Sequence, residues 1–192
     1  MEFVDGRTLK EDAMDGGSRA RAAFERLWAA YYVRLRAFAR TWKAIGPSAA
    51  DDAAAEALIT AFRGLHLYEP AAPLTPWIYT VARRRFGDIA RALARHPASG
   101  FVPGQLEALP DTSDGPEQAA IDGDLAGRVR AAMSGLPEED RRLAVLRFYE
   151  ELTSAQIGRI CGMPSGTVRW RLGLIKRRLA SMIGGENHDM AP

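Results

Sequence analysis

The segment LTSAQIGRICGMPSGTVRWRLGLIKRRL, residues 152–179, decides the fold of the second half of this chain. It predicts two short helices joined by a tight turn. Thr153 and Gln156 have the spacing of a capping box, which begins the first helix. Gly162 ends that helix because glycine tolerates the left-handed turn conformation, and Ser165 is the expected N-cap of the second helix. The segment is therefore predicted to be a helix-turn-helix.

The second helix of this pair has an apolar face and a cationic face. Its apolar residues recur at helical spacing and predict one buried stripe, formed by Val168, Leu172, Ile175 and Leu179. A helix packed on one side and cationic on the other fits the major groove of DNA. The alternative is a corner of a helical bundle with a solvated cationic face. The residues expected to contact duplex DNA are Ser165, Gly166, Thr167, Arg169, Trp170, Arg171, Gly173, Lys176 and Arg177.

Charge is distributed unevenly along the chain. The net charge of +2 combines two basic segments and an acidic one. Residues 96–126 contain six acidic side chains and no Lys or Arg, whereas residues 127–192 contain 11 cations and seven acids. The chain-wide value therefore understates the attraction of the basic segments to phosphates.

Composition excludes several classes of protein. Cys161 is the single cysteine, which rules out an intrachain disulfide and a cysteine-based metal cluster, so a buried core thiol is its expected role. No apolar run reaches membrane-spanning length and the N-terminus does not resemble a signal peptide, which predicts a cytoplasmic protein without membrane insertion. The sequence has no Gly-rich phosphate loop, catalytic triad order or histidine metal spacing, so we expect no enzyme activity, cofactor or metal.

The chain is predicted to be all-α, with two small helical domains joined by a flexible linker. Alanine and arginine are frequent and β-branched residues sparse, which favours helices. The first domain is expected to begin with a long helix from Ser18 to Ile45. Prolines and glycines interrupt every helical pattern in the linker. The expected parts are a disordered tail (1–17), a first domain (18–95), an acidic linker (96–116), a second domain (117–183) and a tail (184–192).

Aromatic side chains stand beside cationic ones in the helix that follows residue 76. Trp77 and Tyr79 precede the cations of residues 83–85. Rings beside cations suit single-stranded nucleic acid, since bases stack on rings while phosphates pair with cations. For Trp77, packing in the core is an equal alternative. The adjacent loop, residues 66–75, contains two prolines and could hold a base taken out of the stack.

Three segments, in this order, resemble bacterial RNA polymerase sigma factors of the extracytoplasmic-function (ECF) type. DDAAAEALITAFRGLHLYEP (51–70) and PLTPWIYTVARRRFGDIARAL (73–93) are similar to sigma domain 2. LPEEDRRLAVLRFYEELTSAQIGRICGMPSGTVRWRL (136–172) is similar to domain 4. The resemblance implies a promoter-specificity subunit that binds core polymerase and directs transcription initiation, with its linker in the polymerase cleft.

The resemblance also implies a role for each region. Domain 4 would read the −35 element and contact the flap of the second-largest subunit, and an anti-sigma factor would cover both domains. The −10 element would be read and melted by His66, Tyr68, Trp77, Tyr79, Thr80, Arg83, Arg84, Arg85, Asp88 and Arg91. The clamp helices of the largest polymerase subunit would be bound by Asp51, Asp52, Glu56, Ile59, Phe62 and Arg63. The helix dipole alone also explains acids near that helix start.

Four positions in two helices depart from the usual family pattern. Arg84 stands where the family often has Asn, and Trp170 stands where it commonly has Ser. Gly173 and Leu174 replace a bulky residue followed by a basic one. We expect one of two consequences. Either the −35 sequence recognised by this protein is unusual, or its base readout is weaker and its docking on the promoter depends more on polymerase.

Two other functions fit parts of the sequence. A two-domain regulator would bind a repeated duplex site without polymerase, and the aromatic and arginine-rich helix at 77–91 argues against it. A nucleic-acid enzyme would need a carboxylate–metal or nucleophile arrangement, which the sequence lacks.

Overall fold

The computed structural model describes residues 4–95 and 126–184. These ranges contain helices and no strand, which confirms the all-α prediction for them. The predicted flexible linker and residues 185–192 of the predicted tail lie outside the described residues. The helices are α1 (Gly6–Asp15), α2 (Gly17–Ala39), α3 (Pro47–Arg63), a 3-10 helix (Leu65–Leu67), α4 (Leu74–Arg95), α5 (126–134), α6 (Glu138–Phe148), α7 (Ser154–Cys161) and α8 (Ser165–Gly184).

The apolar face of α2 forms the centre of the first domain. Leu27, Tyr31, Leu35 and Phe38 follow helical spacing and are all buried. α3 packs against this face and against α4 with small side chains, which allow helices to approach closely. The buried alanines of α3 are Ala50, Ala53, Ala54, Ala57 and Ala61.

An aromatic cluster joins the end of α2 to α4. The Phe38 ring lies 5.0 Å from the Tyr79 ring and 5.1 Å from the Trp42 ring, centroid to centroid. Trp42 in turn lies 5.3 Å from Phe86. All three contacts are edge-to-face, and such pairs contribute about 0.5–1.5 kcal/mol each beyond their buried area. The cluster therefore fixes the orientation of α4.

The first long helix is shorter than the sequence predicts. The predicted helix from Ser18 to Ile45 ends at Ala39, and the chain turns through the following residues. The Thr41 hydroxyl donates to the Phe38 carbonyl oxygen at 2.7 Å, a local bond that competes with helix continuation. Trp42 lies in this turn and joins the aromatic cluster.

The predicted disordered tail, residues 1–17, contains a helix. Asp5 caps α1, because its carboxylate accepts from the Thr8 backbone N–H at 2.9 Å. Leu9 is only 1% exposed, and α1 packs on α2. The expectation of disorder is therefore corrected for Gly6–Asp15. The spacing of Asp5 and Thr8 was an N-cap signal that the sequence analysis did not use.

The second domain is assembled from α6, α7 and α8. Its centre is formed by apolar residues from all three helices, among them Leu143, Leu146, Ile157, Val168 and Ile175. α7 also packs against α4 of the first domain. The buried side chains of both domains consequently form one continuous core.

Candidate nucleic-acid interface

The helix-turn-helix begins as the sequence predicts. The Gln156 backbone N–H donates to Thr153 Oγ1 at 3.3 Å, and the Thr153 N–H donates to Gln156 Oε1 at 2.8 Å. This reciprocal pair is the capping box. Gly162 has a φ of 68° and ends α7 in the left-handed region. Both predictions are confirmed.

Gly158 is a residue that the sequence analysis missed. A Cβ at this position would lie 2.5 Å from the carbonyl oxygen of Met163, which no side chain tolerates. The Met163 N–H donates to the Gly158 carbonyl oxygen at 2.9 Å, which closes the turn between the two helices. A glycine in the middle of a helix was the available signal. The absence of a side chain at Gly158 thus allows α7 to pack closely against the turn.

The second helix presents the predicted face. Val168, Leu172 and Ile175 are buried, and Leu179 is half-buried. α8 begins at Ser165, so Ser165 is the first helical residue instead of the predicted N-cap. Of the predicted DNA contacts, Gly173 is half-buried. The exposed ones are Ser165, Gly166, Thr167, Arg169, Trp170, Lys176 and Arg177.

Arg171 is the exception among the predicted duplex contacts. Its guanidinium donates to Asp140 Oδ1 at 2.6 and 3.0 Å and to Glu139 Oε2 at 2.7 Å. The hydrogen bond from Arg171 to Glu139 holds the pKa of Glu139 below its ordinary value. The Arg171 side chain is 21% exposed. Arg171 therefore ties α8 to the start of α6, and its donors are occupied within the domain.

Two tyrosines of the predicted single-strand site lie in the core. Tyr79 is 0% exposed, and Tyr68 is 2% exposed. Burial raises the pKa of the Tyr79 hydroxyl well above its ordinary value, and the nearby Glu150 carboxylate raises it further. Neither ring is free to stack on a base, which corrects the predicted stacking role of Tyr79 and the predicted −10 contact of the Tyr68 ring. The proximity of aromatic residues and cations in the sequence could not reveal this, because it does not distinguish core rings from surface rings.

Other residues of that site form bonds within the first domain. The Thr80 hydroxyl donates to the Pro76 carbonyl oxygen at 2.8 Å. Trp77 is half-buried, and its ring lies 5.4 Å from the Tyr68 ring. Arg91 pairs with Asp88. The predicted residues that stay exposed on this side of the domain are His66, Arg84, Asp88 and Arg91, with Arg83 half-buried.

The predicted polymerase-binding residues lie on α3. The Tyr32 hydroxyl donates to Asp51 Oδ1 at 2.8 Å and lowers the pKa of that carboxyl group. Phe62 is half-buried, with its ring 5.2 Å from that of Phe24. Glu56 Oε2 accepts hydrogen bonds from the Arg85 guanidinium at 2.6 and 2.9 Å. This ion pair joins the predicted polymerase-binding site to the predicted −10 site. Asp52, Ile59 and Arg63 are exposed.

Two family profiles match the chain. The profile described as Sigma-70 region 2 matches residues 27–96, and the profile described as Sigma-70, region 4 matches residues 126–179. The chain belongs to the sigma-70 family. Region 2 covers α3, α4 and most of α2, and region 4 covers α5 to α7 and most of α8.

Several curated ECF sigma factors are similar to this chain. ShbA of Streptomyces griseus is 33% identical over 62% of this chain and 63% of its own length. SigE of Mycolicibacterium smegmatis is 28% identical over 74% of this chain and 54% of its own. RpoE of Cereibacter sphaeroides is 28% identical over 84% of this chain and 86% of its own. The chain therefore spans less than two thirds of the first two relatives.

Two solved structures have the same fold. CnrH, in complex with the cytosolic domain of CnrY, has a TM-score of 0.64 at 18% identity and covers 96% of this chain and 100% of its own. RpoE of Bartonella quintana, in complex with the anti-sigma factor NepR, has a TM-score of 0.65 at 20% identity. It covers 84% of this chain and 96% of its own.

Regions 2 and 4 are joined by polar contacts that the sequence did not predict. The Arg34 guanidinium pairs with the Glu150 carboxylate, which is only 3% exposed. The Arg142 guanidinium lies 4.6 Å from the centre of the Trp42 ring, in cation–π contact. Each pair is separated by about a hundred residues or more, so no local pattern could have indicated it.

A cationic cleft of about 430 Å³ lies beside this contact. Both regions contribute arginines to its walls, and Asp88 is its one acidic lining residue. The cleft is lined by Trp42, Arg83, Arg84, Gly87, Asp88, Arg91 and Arg142. Its charge favours a phosphate-bearing ligand over a neutral one.

Within residues 4–95 and 126–184, the acidic, histidine and cysteine side chains form no group of three that could hold a metal ion. None of the described helices is both long and apolar enough to cross a membrane.

Proposed function

We propose that this chain is an ECF-type specificity subunit of bacterial RNA polymerase. It binds core polymerase, reads the −35 element with α8 and stabilises the melted −10 strand with region 2. One observation carries the proposal: α8 buries its apolar stripe and leaves Arg169, Trp170 and Lys176 exposed on the other side. A recognition helix contacts the major groove with such a face.

Region 2 supplies the second DNA contact in this proposal. His66, Arg84 and Arg91 are exposed, and Trp77 is half-buried. Arginines pair with backbone phosphates, which makes binding sensitive to salt. The buried tyrosines Tyr68 and Tyr79 shape the loop and the helix from inside. Base capture is therefore assigned to the exposed part of the site.

The partners follow from the same proposal. The exposed side chains of α3, Asp52, Ile59 and Arg63, would contact the clamp helices of the largest polymerase subunit. Region 4 would contact the flap of the second-largest subunit. A protein that works on polymerase and chromosomal promoters acts in the cytoplasm, and an anti-sigma factor would hold it inactive.

Reconstituted transcription tests the proposal. The full chain is mixed with core polymerase and a library of randomised promoter fragments, and transcript starts are mapped by sequencing. We expect start sites that require the chain and share sequences near −35 and −10. Arg169→Ala should weaken selection at −35, whereas Arg159→Ala, an exposed change on α7, should not.

Other outcomes separate the alternatives. No chain-dependent start site would rule out the proposal. Tight binding to a repeated duplex site without polymerase would favour the two-domain regulator.

A further inference from the structure

The N-terminal helix α1 contacts the loop that the proposed function assigns to the −10 element. The Lys10 ammonium donates to the carbonyl oxygens of His66 at 3.0 Å and Tyr68 at 2.7 Å. Lys10 lies 56 and 58 residues before these acceptors, so the bonds join distant parts of the domain. α1 lies outside the residues matched by the region 2 profile.

The acceptors of Lys10 are at the end of the 3-10 helix. The backbone N–H groups of Leu67 and Tyr68 donate to the carbonyls of Gly64 and Leu65, so the internal bonds of this turn end there. Helix C-terminal carbonyls need other donors and carry partial negative charge. An ammonium group satisfies both needs. Lys10 therefore acts as a C-terminal cap supplied from another helix.

A second contact from α1 fixes the same loop. A Cβ at Gly6 would lie 2.5 Å from the Tyr68 hydroxyl oxygen and 2.8 Å from its ring. The Tyr68 hydroxyl donates to the Ala72 carbonyl oxygen at 2.5 Å, which closes the loop. The close contact with Gly6 thus holds the Tyr68 ring, which connects the start of the loop to Ala72.

The outer edge of this loop is open to solvent. Leu67 is 73% exposed, and His66 is exposed with Nδ1 2.8 Å from the Arg63 carbonyl oxygen. A large exposed apolar side chain beside a fixed turn is suited to contact a base. The inner side of the loop is held by α1 while the outer side is free.

We infer that α1 positions the −10 loop, with Lys10 as the positioning residue. This inference rests on the proposed function. Without the two Lys10 bonds the 3-10 helix loses its cap, and the exposed edge samples more conformations. Recognition of the −10 strand then becomes slower and less selective. The contacts with the −35 element and with polymerase stay intact because they lie on other helices.

The test uses the full chain in holoenzyme with Lys10→Met, which keeps most of the side chain and removes the donor. On a duplex promoter we expect open complexes to form about five- to tenfold more slowly, as for loss of a charge-assisted hydrogen bond. Base preference in a randomised −10 library should relax. Lys10→Arg should recover most of the rate, and Gly6→Ala should relax the preference as Lys10→Met does.

Lys43→Met is the matched control, because Lys43 is an exposed lysine of the same domain. It should change core affinity and opening by less than about twofold. Unchanged opening and preference in Lys10→Met would overturn the inference. So would a uniform loss of core affinity and opening with the −10 preference intact, since that indicates loss of stability alone. A wild-type holoenzyme without any −10 preference would instead refute the proposed function.

Discussion

Arg34 of α2 and Glu150 of the turn after α6 form an ion pair across regions 2 and 4, with Arg34 Nε donating to Glu150 Oε1 at 3.2 Å. The Arg34 guanidinium also lies 4.8 Å from the centre of the Tyr31 ring. The Glu150 carboxylate is almost fully buried, so its charge is compensated mainly by Arg34. This pair anchors the contact that brings α7 onto α4.

Under the proposed function, that contact conflicts with simultaneous binding of both promoter elements. The positions −35 and −10 differ by 25 base pairs, which corresponds to about 85 Å of duplex. Packed helices lie about 8–10 Å apart, so α8 is separated from α4 by only about 20 Å through α7. We therefore expect the two regions to separate on the promoter.

Glu150→Gln tests this expectation. The substitution removes the charge that Arg34 pairs with, so the contact should lose about 1–3 kcal/mol and open more often. Small-angle scattering of the free protein should then show a larger radius of gyration. The control is Glu25→Gln, which disrupts an exposed pair with Arg21 and should leave the scattering unchanged. An unchanged radius in Glu150→Gln would show that apolar packing alone holds the regions together.

Cys161 offers an independent measure of the same opening. The thiol is buried and burial raises its pKa, so little thiolate is present at neutral pH. Arg83 of α4 is close enough to influence it, which places Cys161 near the contact. We expect slow alkylation by iodoacetamide in the native protein and faster alkylation in Glu150→Gln. Equal rates in the two proteins would show that the exposure of Cys161 does not depend on the separation of regions 2 and 4.

Arg171 and Arg169 should behave oppositely, although they are two residues apart. Arg171→Met removes three hydrogen bonds to α6 and should cost about 1–2 kcal/mol, which lowers the melting temperature by several degrees. Arg169→Met, on the exposed face, should keep the melting temperature and weaken −35 binding. Thermal unfolding and a −35 duplex binding assay with holoenzyme separate the two. A stable Arg171→Met with weakened DNA binding would contradict the assignment.

The stabilising effect of Arg171 should depend on pH. Arg171 lowers the pKa of Glu139 below the ordinary value of 4.5, so the folded state favours the carboxylate. The resulting stability is fully present above the unfolded pKa and is lost as pH falls through the lowered folded value. The difference in melting temperature between wild type and Arg171→Met should therefore be constant from pH 6 to 8 and shrink below about pH 4.5. A difference that grows in acid would exclude this origin.

Trp170 is the clearest candidate for an unusual −35 preference. Its side chain is 65% exposed, so packing within the described chain covers only a minor part of it. Trp170→Ser should leave the melting temperature unchanged within about 1 °C, as for other exposed positions. On randomised −35 elements, selection by holoenzyme should shift at the base pairs facing this residue. An unchanged preference would remove Trp170 from base readout.

Sequence alone determined the elements whose signals are local. The capping box of Thr153 and Gln156, the left-handed Gly162 and the apolar stripe of α8 depend on residues within one or two turns of each other. Helical periodicity carries this information directly. The exposed face of α8 was therefore predicted well, apart from Arg171 and the half-buried Gly173.

Tertiary structure decided which polar and aromatic residues are free. Tyr68 and Tyr79 are buried, Arg85 pairs with Glu56, and Arg171 pairs with the start of α6. Lys10 and Arg34 likewise find partners far along the chain. Whether a side chain is engaged within the protein depends on how the helices pack. The local sequence around an arginine or a tyrosine is the same whether that side chain contacts DNA or another helix of the protein. Helix periodicity assigns a side chain to a face, and only packing determines what that face contacts.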